Sequence, residues 1–149
     1  LWDNYPDSLE IPLKGKASRA YLLMAGSTNH MQCHIDNGVI RIYYKDGTRD
    51  VMFLRNPDNW PPIEHIFFED GLAFNRHTPA LYRLRLKTGE ISNNFGEELG
   101  FPGASRELDG GAAVLLEMPL NPGKKLSHLV LETLSNDVVI GLMSITLQR

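Results

Sequence analysis

The 149-residue chain carries 15 Lys and Arg against 18 Asp and Glu, a formal net charge of −3, with 42% hydrophobic and 22% charged residues. That balance suits one globular domain with a real core and excludes a disordered chain; the scattered basic residues exclude the basic stripe of a nucleic-acid binder. A single cysteine, Cys33, excludes an intrachain disulfide, and no run of about 18 apolar residues exists to span a membrane.

Leu1 in place of Met is read as the start of a processed or excised fragment, so the lack of a leader says nothing of export. Residues 1–18 hold two prolines and two aromatics without a clean period. They read as an opening segment with a short strand at Leu9 to Leu13, which Pro12 demotes to a sheet edge. Trp2 and Tyr5 could stack on a ligand; the favoured reading is that they pack this segment onto the domain, or onto a neighbour lost with the rest of a larger protein. Residues 19–149 form the domain proper.

Ala20 to Ala25 is a continuous apolar run of strand length, the pattern of a strand buried on both faces, and Gly26-Ser27-Thr28-Asn29 breaks it. Val39 to Tyr44 alternates, with Ile40, Ile42 and Tyr44 on one face and Val39, Arg41 and Tyr43 on the other. Asp46-Gly47 follows at once, the dipeptide of a type I′ hairpin turn, and Val51 to Leu54 is the return strand. Arg55 to Pro62, RNPDNWPP, cannot be regular structure: three prolines remove ladder donors, and the Asn and Asp residues favour turns.

His65 to Phe68 reads as a short strand, followed by an Asp70-Gly71 turn. In Leu81 to Lys87 the residues Tyr82, Leu84 and Leu86 alternate with Arg83 and Arg85, predicting a strand with one wet face of arginines. Residues 89–111 are rich in Gly, Asn and Glu and form the longest unpatterned stretch; Glu97 to Leu99 is too short for a stable helix. Ala112 to Met118, His128 to Thr133 and Val138 to Leu147 complete the strands, with Gly141 marking a bulge or a close backbone approach. Short strands at the roughly 8–12 residue spacing of sandwiches, with no sustained helical repeat, predict an all-β fold. The expected architecture is two antiparallel sheets packed face to face, jelly-roll in topology.

No motif for bond chemistry stands out. Glycosidase chemistry needs two acids facing across a cleft, and Glu64, Glu69, Asp70 and the adjacent Glu97-Glu98 have no such signature. No catalytic residue is assigned. The five histidines (His30, His34, His65, His77 and His128) show no fixed ligand spacing, so no metal site is assigned either. A calcium held by loop carbonyls and carboxylates at the sandwich rim needs no motif and stays open as a structural cofactor. Cys33, between Gln32 and His34, reads as a small apolar filler.

Trp60 is the sharpest candidate. In a rigid loop it could stack on a sugar ring, with Asn56, Asp58, Asn59 and Arg76 binding hydroxyls and Asn29-His30 close by. The competing reading makes Trp60 a lid on the core or a docking residue for an attached neighbour.

The segments YLLMAGST (21–28), YYKDGT (43–48), LRNPDNWPPIE (54–64), YRLRLKTG (82–89) and NDVVIGLMSITL (136–147) resemble the C-terminal β-sandwich of the bacterial DUF4450 family. These are multidomain proteins similar to glycoside hydrolases, and the resemblance spans nearly the whole chain. It implies a galactose-binding-like jelly roll serving as a noncatalytic accessory domain of an exported, periplasmic or cell-surface protein. The partner implied is the upstream domain of the same polypeptide; domains of the wider galactose-binding-like class often bind a glycan through loops at one end, and many only brace a catalytic domain. The alternatives are a purely structural interdomain module with no ligand and a small free-standing carbohydrate-active enzyme. No binding motif of the family transfers residue by residue.

Overall fold

The computed structural model describes residues 6–29, 31–64, 76–95 and 108–149. Among them run nine strands: β1 (Ser8–Pro12), β2 (Arg19–Thr28), β3 (Gly38–Tyr44), β4 (Arg49–Leu54), β5 (Arg83–Arg85), β6 (Ile91–Ser92), β7 (Ala112–Pro119), β8 (Leu126–Thr133) and β9 (Val138–Gln148). They form two antiparallel sheets, in the orders β1-β8-β3-β4 and β6-β5-β7-β2-β9. The described residues contain no helix. The protein is a β-sandwich.

Period-two alternation builds the core. From the five-stranded sheet come Ala20, Leu22 and Met24 of β2 and Val114, Leu116 and Met118 of β7; from the four-stranded sheet come Ile40, Ile42 and Tyr44 of β3 and Leu129 and Leu131 of β8. A strand directs alternate side chains to opposite faces, so each sheet contributes one apolar face to the shared interior. Trp60 closes this interior as a fully buried side chain. A smaller cluster of Phe95, Leu108 and Ala112 sits beside it.

β1 is an edge strand paired with β8, as Pro12 implies, so the opening segment is woven into the four-stranded sheet from Ser8 onward. Gly141 makes a close approach: a Cβ there would stand 2.8 Å from the Ala25 carbonyl oxygen. The register of β2 against β9 shifts between Leu23 and Met24, at a bulge nearby.

Other expectations are corrected. β2 does not end at Ala25; it continues through Gly26 to Thr28, paired with β9 as far as Val138. Gly26 belongs in the strand because a Cβ there would collide with the Val139 carbonyl and lie 2.7 Å from Trp60 Cζ2. Nor is β2 buried on both faces, since Tyr21, Leu23 and Ala25 are only half-buried.

The β3–β4 turn is not type I′. Gly47 has φ of 86°, but Asp46 is not among the residues with positive φ. The Gly47 N–H donates to the Tyr44 carbonyl at 3.0 Å and the Tyr44 N–H to the Thr48 carbonyl at 2.9 Å. Those bonds define a three-residue loop, Lys45-Asp46-Gly47, with glycine at the left-handed position. Asp46 can then keep an ordinary φ while its carboxylate accepts the Thr48 N–H at 2.9 Å.

β5 is inverted relative to its pattern. Register pairs Arg83 with Val114, an inward residue, so Arg83 is turned inside at 7% exposure while Tyr82 stands 54% exposed. The Arg83 Nη2 donates to the carbonyls of Pro62 and Ala112 at 3.1 and 3.0 Å. Burial pulls the Arg83 pKa down to about 10, against the attraction of Glu64, so the guanidinium stays charged at neutral pH.

Trp2, Tyr5, His30, the strand read at His65 to Phe68, the Asp70-Gly71 turn and Glu97 to Leu99 lie outside the described residues.

Candidate functional site

Three chain segments meet at one end of the sandwich. They are residues 31–37 between β2 and β3, residues 55–62 after β4, and residues 76–78 ahead of β5. Asn37, fully buried, ties the first two together: its Oδ1 accepts the Asn56 N–H at 2.9 Å, and its Nδ2 donates to the Gln32 carbonyl and Ser135 Oγ, each at 3.3 Å. A short parallel bridge joins Cys33 and Asn56, in which the His34 N–H donates to the Asn56 carbonyl at 2.7 Å. Every polar group of a buried amide with its partners in place makes such a junction stiff.

That geometry reassigns most of the expected sugar contacts. Trp60 is 0% exposed, packed into the main core against Gly26, so neither ring face is open to a sugar. Its reading as a lid on the core is the correct one. Asn56 is buried, and its Nδ2 lies 3.5 Å from Cys33 Sγ. Asn59 braces its own loop, accepting the Arg55 N–H and donating to the Phe53 carbonyl, both at 2.8 Å. Asn29 is exposed and caps a turn by accepting the Met31 N–H at 3.0 Å. These amides shape the loops.

Asp58 and Arg76 do come together. Both line a cleft of about 90 Å³ with Arg83, Asn93, Asn94 and Phe95. Asp58 also receives the next segment: its Oδ1 accepts the His77 N–H at 2.7 Å, and its carbonyl accepts the Thr78 hydroxyl at 3.2 Å. The imidazoles of His34 and His77 stack with centroids 4.4 Å apart and planes 21° from parallel. His34 holds φ of 55°, the left-handed region that few residues other than glycine adopt. Sequence reasoning missed this trio, because separations of 24 and 19 positions carry no ligand rhythm and only the fold closes the gaps.

A second surface lies on the outer face of the five-stranded sheet. Leu115 stands opposite Leu23 on one side and Tyr82 on the other, where the Leu115 N–H donates to the Tyr82 carbonyl at 2.9 Å. Ile91 pairs with Leu84 beside them, and Tyr82, Leu86, Ile91 and Leu115 are all exposed. Towards the other end this face turns polar, with the Arg19–Glu117 ion pair and a Tyr21 hydroxyl donating to Gln148 at 3.3 Å. A groove of about 620 Å³ also runs between the β1–β8 edge and β9, lined by Leu9, Leu131, Val139, Ile140 and Leu142. The described residues contain no helix long and apolar enough to cross a membrane.

Searches of the chain against protein-family models, curated proteins and solved structures find no match.

Proposed function

We propose that the chain is a noncatalytic accessory β-sandwich, of jelly-roll type, that braces an upstream domain of the same polypeptide in an exported polysaccharide-degrading protein. The single observation carrying this reading is the apolar row Tyr82–Leu115–Leu23 across the outer face of the five-stranded sheet. Scattered exposed apolar residues are ordinary, whereas a contiguous row with a polar border is the mark of a surface that another protein covers. The resemblance to accessory domains of glycoside-hydrolase-like proteins supplies the class of neighbour.

The test compares hydrogen exchange of β5 and β7 in the isolated chain and in the full-length polypeptide that contains it. Protection of both strands is expected to rise in the full-length protein, and Leu115→Asp is expected to abolish the rise while the isolated chain stays folded. Equal exchange in the two settings would refute the docking face.

A weaker, glycan-binding reading is favoured by the cleft that unites Asp58, Arg76, Asn93 and Asn94, whose side chains match the donors and acceptors of sugar hydroxyls. It stands on these groups and not on Trp60. Titration with plant and host oligosaccharides, repeated on Arg76→Ala, tests it; an affinity unchanged in the variant would exclude the cleft.

A further inference from the structure

The geometry points to a zinc site formed by His34, Asp58 and His77. One ligand atom from each lies within 4.8 Å of the other two, and no other such group of three His, Cys, Asp or Glu side chains occurs among the described residues. His77 Nδ1 stands 4.0 Å from Asp58 Oδ2. Ligands bonded at about 2.0–2.1 Å in a tetrahedron lie about 3.3–3.4 Å apart and aim at one point, so closing the shell takes His77 out of its stack on His34, whose near-parallel ring directs its nitrogens alongside and not toward the same centre. That rotation falls to the His77 side chain, which is 67% exposed and so has solvent to turn into.

Three further features favour a ligand set over a chance cluster. Asp58 is already oriented, because its Oδ1 accepts the His77 N–H at 2.7 Å and leaves Oδ2 for a cation. Outer bonds of this kind aim a carboxylate at its metal. His34 is held by its N–H bond to the Asn56 carbonyl and by its left-handed backbone. Backbone in sparsely populated regions gathers where the surrounding structure needs one side chain in one place. The donor chemistry then selects the ion. Two imidazole nitrogens and one carboxylate suit zinc, with the fourth position left to water, whereas calcium takes six to eight oxygens.

A zinc ion here would staple the three segments that build this end of the sandwich. It lies among the loops and not on the apolar sheet face, so its test is independent of the docking reading.

The experiment uses the untagged chain, stripped with a chelator and titrated with Zn²⁺ alone, with Co²⁺ as the spectroscopic probe. One Zn²⁺ per chain is expected, with tetrahedral d–d bands for Co²⁺. Hydrogen exchange of residues 33–37, 56–60 and 76–80 should slow on zinc addition. His77→Ala should weaken binding at least about 100-fold, and Asp58→Asn, which keeps the acceptor for the His77 N–H, about 10- to 100-fold. His34→Asn is the second ligand variant, since asparagine tolerates a left-handed backbone. His128→Ala, at the Tyr43 stack on the four-stranded sheet, should leave binding unchanged. Binding that survives both His77→Ala and His34→Asn is adventitious and overturns the site, as does an absence of stoichiometric binding.

Discussion

Replacing Trp60 by alanine separates a core tryptophan from a ligand-stacking one. The side chain is 0% exposed and belongs to the main core cluster. An aromatic of this size buries roughly 200 Å², which at about 25 cal/mol per Å² amounts to about 5 kcal/mol. That figure refers to an extended chain and is an upper bound, and deletions of buried Phe or Trp cost about 3–5 kcal/mol with the cavity included. A loss of about 3–5 kcal/mol is expected, a large share of the roughly 5–15 kcal/mol that stabilises a typical domain. The indole Nε1 is buried without a hydrogen-bond partner among the described residues, an arrangement that itself costs about 1–3 kcal/mol. Trp60→Phe keeps most of the ring volume and removes that orphan donor, so it should fall within about 1–2 kcal/mol of wild type. Urea unfolding followed by far-UV circular dichroism reads both variants, provided the slope stays constant. A loss below about 1 kcal/mol for Trp60→Ala would refute the placement of this ring in the core.

Asp46 tests the hairpin turn by pH. Hydrogen bonds from the Thr48 side chain and backbone, then from Lys124, lower its pKa from 3.8 to about 2. Its stabilisation is therefore fully present above about pH 4 and lost as pH falls through about 2; the stability difference between wild type and Asp46→Asn should shrink across that window in urea titrations and vanish below it. Tyr44→Phe should cost about 1–3 kcal/mol in the same assay, because the hydroxyl donates to Asp50 and accepts the Asn121 N–H at 2.7 Å, and its loss strands both partners. Burial and the Asp50 bond also raise the Tyr44 pKa, so an ultraviolet titration should show one phenol fewer ionising in Tyr44→Phe at the high-pH end of the curve.

The sandwich itself was legible in the chain because its physics is local. Alternation in Val39 to Tyr44 names the inward face of β3 from residues two apart, and Pro12 and Gly141 mark an edge and a close approach through backbone properties of their own. What failed depended on partners distant in sequence. Arg83 and Arg85 alternate as convincingly as any wet face, yet register against Val114 and Ala112 turns them inward, where carbonyls of Pro62 and Ala112 receive the Arg83 guanidinium. Periodicity says that two faces differ; it does not say which one meets the opposing sheet. The same holds for Trp60, whose Pro-rich loop is recognisable locally but whose burial is decided by a strand glycine at position 26 that leaves room for the ring. The His34–Asp58–His77 trio lies furthest from local signals. Three loops with no shared spacing converge only because Asn37 and Asn56 lock two of them together and Asp58 captures the third, and convergence of that kind is a property of the folded chain alone.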